Sequence, residues 1–260
     1  MKNVKRGVVL SGGGTKGAYE IGVWKALREL SVDYQIVTGT SIGSINGALM
    51  AMGDFDKAEQ IWRNMIMVDL MSEPEPEKGI LRTFAETLFP TMESRRKKLI
   101  DGAVDNSPFR DFVNKNIDEE KVRASEVDYG LVTVRARDRK PYLLPKDKIP
   151  QGQMKDYIIA SSSVYPVFPM HRIGTDYFID GMYYDNLPIK LAVSMGAEEL
   201  IVVDLHQKPQ HPDFAGRANV LYLTPSVDLG GILAFDRKKI YENLEMGYQD
   251  TIRKFSVGRK

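Results

Sequence analysis

The sequence has no cysteine among its 260 residues, and it has only three histidines and two tryptophans. Without cysteine there is no disulfide framework, no thiol nucleophile and no cysteine-rich metal site. The three histidines, His171, His206 and His211, do not belong to any cluster with the spacing of metal ligands. We therefore expect neither a metal nor a cofactor.

A strong charge of one sign is also lacking, because 36 Lys and Arg residues nearly balance 35 Asp and Glu residues, for a net charge of +1. This balance gives no reason to expect nucleic-acid binding. Long hydrophobic runs are lacking too. The apolar run after Lys5 and Arg6 covers only residues 8–10, and no later stretch approaches the ~20 apolar residues of a membrane span. We expect a protein that is cytoplasmic or peripheral to a membrane.

The composition that is present, 43% apolar and 27% charged, is typical of a globular protein, and we interpret residues 1–260 as a single domain. Residues 6–53 contain two consecutive strand–turn–helix patterns. Such a beginning predicts an α/β fold, a three-layer α/β/α sandwich with a mostly parallel central sheet. Because parallel strands place both turns at the same edge of the sheet, we expect the active site there.

The second turn, GTSIG at residues 39–43, fits the G-x-S-x-G pattern of a nucleophile elbow. In an elbow a sharp turn exposes a serine, here Ser41, and the flanking Gly39 and Gly43 carry no side chain that would collide there. The helix that follows directs its first amides, including that of Ile42, towards a developing oxyanion. The pattern favours Ser41 as a nucleophile.

The first turn, GGGTKG at residues 12–17, has two interpretations. It fits the G-x-G-x-x-G fingerprint of dinucleotide binding, but that fingerprint needs an acidic residue at the end of the second strand, where this chain has GTS at residues 39–41. The alternative, which we favour, is an oxyanion hole facing Ser41, with Lys16 and Gly17 leading into the next helix. Its donors would be the amides of Gly12, Gly13 and Gly14.

The remaining patterns predict a hairpin over residues 129–144 and a helix over residues 154–161. A strand that ends at Asp180 is predicted within residues 173–179, and further strands are predicted over residues 200–203 and 220–223. A closing helix over residues 232–248 should pack on the sheet. Between about residues 72 and 122 a charged, proline-rich stretch precedes short helical patterns, which we interpret as a helical insertion or lid. Its apolar residues near 80–89 and basic residues 95–98 would suit an interfacial helix. We favour a helix packed on the domain, because amphipathic core helices are far more common.

A serine hydroxyl needs a neighbouring base before it can attack. Two aspartates follow apolar strand-like runs, Asp180 and Asp204, and the spacing alone does not choose between them. A Ser–Asp–His arrangement that includes His206 is a third alternative, although loop histidines are mostly solvated. An ordinary aspartate has a pKa near ~3.9 and is a poor base, so a Ser–Asp dyad requires burial that raises this pKa.

Four motifs occur in order along the chain: GGGTKG at residues 12–17, GTSIG at 39–43, ASSSVYP at 160–166 and DGMYYDNLP at 180–188. Together they resemble the patatin-like phospholipase family. The resemblance implies that Ser41 and Asp180 form a catalytic dyad and that Gly181 belongs to the motif of the base. Met182 departs from the family pattern, because many members have glycine or alanine there.

From the resemblance we expect hydrolysis of a carboxylic ester of a lipid or lysophospholipid, with peripheral membrane contact. Two alternatives remain open. One is an acyltransferase or thioesterase that uses the same site, and the other is a non-enzymatic nucleotide-binding regulator that uses residues 12–17. The sequence does not predict an oligomeric state.

Overall fold

The computed structural model describes residues 4–64, 106–207, 219–233 and 236–257. Its strands are β1 (Arg6–Leu10), β2 (Ile36–Thr40), β3 (Asp128–Arg135), β4 (Lys140–Pro145), β5 (His171–Ile173), β6 (Asp176–Asp180), β7 (Glu199–Val203) and β8 (Asn219–Leu223). Its α-helices are α1 (Ala18–Glu29), α2 (Ile42–Met52), α3 (Phe55–Asn64), α4 (Ser107–Asn116), α5 (Glu119–Ala124), α6 (Met154–Ser161), α7 (Ile189–Ser194) and α8 (Arg237–Val257). Short 3-10 turns occur at Gly14–Gly17, Lys146–Lys148 and Gly181–Tyr183.

The strands form one sheet in the order β5-β6-β3-β2-β1-β7-β8, and β4 pairs with β3. The strands from β3 to β8 along this order are parallel to their neighbours, whereas β4, β5 and β6 are antiparallel additions at one side. Helices cover both faces. The predicted α/β sandwich with a mostly parallel sheet is therefore confirmed.

The central strand β1 shows why its sequence is a continuous apolar run. Val8, Val9 and Leu10 are all fully buried. Val8 and Leu10 belong to the larger core, which also contains residues of α1 and α2, whereas Val9 belongs to a second core with residues of α7. Successive side chains of a strand point to opposite faces, so a strand covered on both faces needs apolar residues at every position.

The register of β3 places β6 against the end of β2. Val132 of β3 pairs with Thr40 of β2, and the next residue, Thr133, pairs with Asp180 of β6. Both Val132 and Thr133 also pair with β4. Because a strand has only two edges, β4 must occupy one edge of β3 while β2 and β6 follow one another along the other edge. Asp180 therefore lies beside the end of β2.

Several local predictions are confirmed. The hairpin is β3–β4, the helix over residues 154–161 is α6, and the apolar run at residues 200–203 lies in β7. The predicted packing of the closing helix is wrong, because α8 packs chiefly against α1 and not on the sheet. Two glycines allow this, since a Cβ on Gly22 would lie 1.9 Å from the Leu244 carbonyl oxygen and a Cβ on Gly247 would lie 2.0 Å from that of Tyr19.

The insertion predicted at about residues 72–122 is described only in part. The stretches at residues 80–89 and 95–98, on which the lid interpretation depends, lie outside the described residues, and so does His211. The described remainder forms α4 and the beginning of α5, and Phe109 and Val113 of α4 are buried. In the described ranges, no helix is both long and apolar enough to cross a membrane.

Candidate active site

Ser41 lies in a strained turn between β2 and α2. Its backbone has φ 55° and ψ −126°, and a positive φ is uncommon for a residue other than glycine. The turn is held in place by its neighbours. The Ser161 hydroxyl accepts a hydrogen bond from the Ser41 amide at 3.0 Å, and the amide and hydroxyl of Ser44 donate to the Ser41 carbonyl at 2.8 and 2.6 Å. These contacts hold the serine in the conformation expected of a nucleophile elbow.

The two glycines that flank this serine are required by close backbone contacts. A Cβ on Gly39 would lie 2.1 Å from the Gly43 carbonyl oxygen, and a Cβ on Gly43 would lie 2.7 Å from the Leu10 carbonyl oxygen. Both distances are too short for any side chain. The start of α2 is thus packed directly on the ends of β1 and β2.

Asp180 is the last residue of β6 and is fully buried. Its amide donates to the Ser163 carbonyl at 2.9 Å, and its Oδ1 accepts from the Met182 amide at 2.8 Å. Its Oδ2 is buried and has no hydrogen-bond partner among the described residues. The following Gly181 packs against β2 and β3, where a Cβ would lie 2.2 Å from the Val132 carbonyl oxygen.

Burial raises the pKa of Asp180 from its ordinary value of 3.8 to about 7. The Met182 amide and, after it, the Ser41 hydroxyl act in the opposite direction and lower the pKa. The sheet register places Asp180 beside the end of β2, next to Ser41, and no hydrogen bond joins Ser41 to Oδ2. An aspartate of this kind is a far better proton acceptor near neutral pH than a solvated one.

The glycine-rich turn is held by long-range backbone contacts. The Gly12 amide donates to the Asn186 carbonyl at 3.1 Å, and the Asn186 side-chain amide returns a bond to the Gly12 carbonyl at 3.1 Å. Gly14 has φ 58°, and its neighbour Thr15 donates to the Ile232 carbonyl at 2.9 Å. The Gly12 amide is therefore already engaged.

The other predicted oxyanion donors differ from Gly12. The amides of Gly13, Gly14 and Ile42 have no hydrogen-bond acceptor in the described part of the chain. All three residues line the same pocket as Ser41. They are the backbone donors that this pocket can offer to an oxyanion.

A pocket of about 200 Å³ lies over Ser41 and the glycine-rich turn. Lys16 lines the pocket beside this turn. A large part of the lining, the apolar wall, is formed by α2, α3, α4 and the connector that follows α6. Its larger side chains are Ile42, Ile45, Trp62, Phe109 and Phe168. Met182, the departure from the family pattern, also lines the pocket and is 46% exposed. The lining of the pocket therefore combines the polar groups of Ser41 and the glycine-rich turn with the apolar wall.

The helix α2 is joined to the glycine-rich turn by a buried polar network. Asn46 Nδ2 donates to the Gly17 carbonyl at 3.0 Å and to Glu20 Oε2 at 2.8 Å, and Asn46 Oδ1 accepts from Trp62 Nε1 at 2.9 Å. Burial raises the pKa of Glu20 well above its ordinary value, against the lowering effects of Asn46 and the Ser11 backbone. Gly17 itself is in close contact with Ile42, where a Cβ would lie 2.8 Å from Cγ1.

Asp204, the other candidate for the base, is also fully buried, but its hydrogen-bond partner differs from that of Asp180. Its Oδ1 lies 2.9 Å from His206 Nδ1 and 3.1 Å from the His206 amide. His206 lines the pocket. His171 lies in β5, and its Nε2 is 2.9 Å from Asp156 Oδ1. Of the described histidines, neither is hydrogen-bonded to Ser41.

Two residues that hold the site together, Ser161 and Asn186, were not predicted from the sequence. Ser161 binds the Ser41 amide and donates to the Val132 carbonyl at 2.6 Å, while Asn186 holds Gly12. Both residues lie inside motifs of the family resemblance, which was the only available signal. Neither is marked by periodicity, because its contacts connect segments far apart in sequence.

The geometry does not favour a bound dinucleotide. In that class of protein, a pyrophosphate binds free amides at the beginning of the helix. Here the Thr15 and Lys16 amides already donate to the carbonyls of Ile232 and Gly13. Within the described ranges, no group of three or more His, Cys, Asp or Glu side chains is arranged to hold a metal ion.

The fold and site thus define an α/β protein with a strained serine turn after β2, a glycine-rich turn after β1 and a buried aspartate at the end of β6. A sequence model of patatin-like phospholipases matches residues 8–193, which is more than half of the chain. The chain belongs to the patatin-like phospholipase family.

Two relatives illustrate this membership. The chain is 28% identical over 200 residues to human patatin-like phospholipase domain-containing protein 6, a match that covers 76% of this chain and 13% of that protein. It is 26% identical over 200 residues to lysophospholipase nte1 of Aspergillus terreus, covering 76% of this chain and 12% of the relative. The matched region is therefore about an eighth of the length of these relatives.

Two solved structures share the fold. VipD from Legionella pneumophila matches 98% of this chain and 67% of its own, with a TM-score of 0.57 and 15% identity. The type III effector protein ExoU matches 98% of this chain and 53% of its own, with a TM-score of 0.50 and 19% identity. At these identities the likeness concerns the fold alone.

Proposed function

We propose that this chain is a serine acyl hydrolase that cleaves carboxylic esters of lipids or lysophospholipids. Ser41 is the nucleophile and Asp180 is the general base. The observation that carries the proposal is the position of Asp180 beside the end of β2, next to Ser41. Its Oδ2 has no hydrogen-bond partner among the described residues, and burial raises its pKa to about 7. Membership of the family, and a relative named as a lysophospholipase, support the reaction class.

In the first half-reaction the Ser41 oxygen attacks the ester carbonyl carbon while Asp180 accepts its proton. The negative charge that develops on the carbonyl oxygen is stabilised by the amides of Gly13, Gly14 and Ile42. We assign Gly12 a supporting role, because its amide is bound to Asn186. The tetrahedral intermediate collapses, the ester C–O bond breaks, and Asp180 returns its proton to the departing alkoxide.

In the second half-reaction water attacks the acyl-serine, again with Asp180 as the proton acceptor. The carboxylic acid then leaves and Ser41 recovers its proton from Asp180. A pKa of about 7 allows Asp180 both to accept a proton and to give it back. A general base works best when its pKa is near the working pH.

The lipid part of the proposal is supported by the apolar wall of the pocket, which can hold an acyl chain. Contact with a membrane surface is supported by Met182, Tyr183 and Tyr184, which follow the base and are 46%, 50% and 55% exposed. Tyrosine is favoured where apolar and aqueous regions meet. Localisation in the cytoplasm stays a prediction from the sequence.

The test is turnover of short- and long-chain p-nitrophenyl esters, together with intact mass after labelling with a fluorophosphonate. We expect one adduct on the wild type, none on Ser41→Ala, and a loss of turnover in Ser41→Ala of at least about 10⁴-fold, because the nucleophile is removed. Circular dichroism checks that the variant is folded. A labelled or fully active Ser41→Ala protein would disprove the assignment.

A further inference from the structure

Three consecutive serines, Ser161, Ser162 and Ser163, follow one another at the end of α6 and are all buried, but their hydroxyl groups differ. The Ser161 hydroxyl bonds the Ser41 amide and the Val132 carbonyl. The Ser163 hydroxyl donates to the Ile159 carbonyl at 2.8 Å. The Ser162 hydroxyl is buried and has no hydrogen-bond partner in the described part of the chain. Only Ser162 of the three lines the pocket over Ser41.

A buried hydroxyl without a partner is unfavourable, and such groups in native proteins usually serve a ligand or a bound water. Ser162 is only 6% exposed, so bulk solvent does not satisfy it. A protein that needed only the packing could carry alanine at this position. The unpartnered hydroxyl therefore points to a ligand of the pocket.

The two residues that flank Ser162 are hydrogen-bonded to Ser41 and to Asp180. The residue before it binds the Ser41 amide at 3.0 Å, and the carbonyl of the residue after it accepts from the Asp180 amide at 2.9 Å. Ser162 is thus bracketed by the contacts to the nucleophile and to the base. A small polar molecule that must reach both would lie in the same part of the pocket.

We propose that Ser162 positions the water that hydrolyses the acyl-enzyme, an inference that rests on the proposed Ser41 chemistry. The water donates one hydrogen bond to Ser162 Oγ and transfers its other proton to Asp180 as its oxygen bonds to the acyl carbon. The bond from that carbon to Ser41 Oγ then breaks, and Ser41 takes the proton from Asp180. Ser162 forms no covalent bond and exchanges no proton.

The test separates the two half-reactions in Ser162→Ala, with Ser163→Ala as the matched control. Stopped-flow release of p-nitrophenol measures acylation, and intact mass after quenching measures the acyl-enzyme. In Ser162→Ala we expect acylation within about twofold of wild type, deacylation slower by about tenfold or more, and an accumulated acyl-enzyme. Added methanol should take a larger share of the acyl group than it does from the wild type.

Stability distinguishes this role from a structural one. Ser162→Ala removes an unpartnered group, so its Tm should equal or exceed that of the wild type, whereas Ser163→Ala loses a satisfied hydrogen bond and its Tm should fall. Ser162→Cys, which has nearly the same shape and a weak hydrogen-bonding group, should also accumulate acyl-enzyme.

Three results would overturn the proposal. These are deacylation unchanged in Ser162→Ala, an equal loss of both half-reactions, and a Tm of Ser162→Ala lower than that of the wild type. A wild type that neither turns over the esters nor takes the fluorophosphonate on Ser41 would instead refute the proposed function, so the two failures are distinguishable.

Discussion

Two buried aspartates lie at or directly after the ends of strands on opposite sides of β2, and their surroundings differ. Asp204, which directly follows β7, is bound by the amide and the ring of His206. Asp180, at the end of β6, has one oxygen bound by Met182 and another with no partner among the described residues, and its pKa is raised to about 7. The same residue type therefore accepts hydrogen bonds from a loop in one place and, in the other, keeps one oxygen without a partner among the described residues, which is the arrangement that the proposed base requires.

The largest expected difference between the two is in catalysis. Asp180→Asn should lower kcat/KM by about 10³- to 10⁴-fold, because an amide cannot accept the serine proton. Asp204→Asn makes the same chemical change at an equally buried site, and its kcat/KM should stay within about tenfold of wild type. Ester turnover of the two purified variants measures this, and a larger loss in Asp204→Asn would reverse the assignment of the base.

The free energy of unfolding of Asp180→Asn should rise, although its activity should fall. The pKa of Asp180 is higher in the folded state than the ordinary 3.8, so the stabilising effect of its proton is complete below pH 3.8 and is lost as pH rises to about 7. The neutral amide that Asp180→Asn introduces carries no such cost. The variant should exceed the wild type by up to about 4 kcal/mol in free energy of unfolding at pH 8, with the gain vanishing near pH 4.

Urea denaturation of Asp180→Asn and wild type at both pH values measures this gain. Asp204→Asn is the control and should be less stable than wild type at each pH, because the bonds from His206 are weakened. A gain in Asp180→Asn that does not depend on pH would contradict the raised pKa.

The pH dependence of the reaction sharpens the comparison further. A base must be deprotonated to act, so kcat/KM should rise about tenfold per pH unit below pH 7 and level off above it, following the pKa of Asp180 at about 7. A profile measured from pH 5 to pH 9 with a p-nitrophenyl ester tests this. Activity that is constant from pH 5 upwards would mean that the base has an ordinary carboxylate pKa.

The smallest effect is expected on the Asp204 side of the pocket. His206→Ala should change kcat by no more than about threefold, because no hydrogen bond connects His206 to Ser41. This variant also tests the Ser–Asp–His alternative. A loss of kcat comparable to that of Asp180→Asn would show that the histidine takes part in proton transfer.

Much of the site could be predicted from the sequence, and the limits have clear causes. The elbow around Ser41 follows from its local pattern, since only glycine fits where a Cβ on Gly43 would meet the Leu10 carbonyl. The engaged amide of Gly12 could not be foreseen, because its acceptor is Asn186, far along the chain. The packing of α8 was predicted wrongly because an apolar helix face fits a helix as well as a sheet.

Most of the strands, the two glycine turns and the α/β class could be predicted from the sequence, because hydrophobic periodicity and glycine sterics act over a few residues. The short strand β5 was not predicted as a separate element. The choice of Asp180 over Asp204 came from a family resemblance and not from residue spacing. The position of Asp180 beside the end of β2 depends on the tertiary structure, in which Thr133 pairs with Asp180 directly after Val132 pairs with Thr40. Desolvation and hydrogen-bond satisfaction arise from contacts between distant segments. The raised pKa of Asp180, and a Ser162 hydroxyl that is buried with no partner among the described residues, are therefore properties of the folded chain.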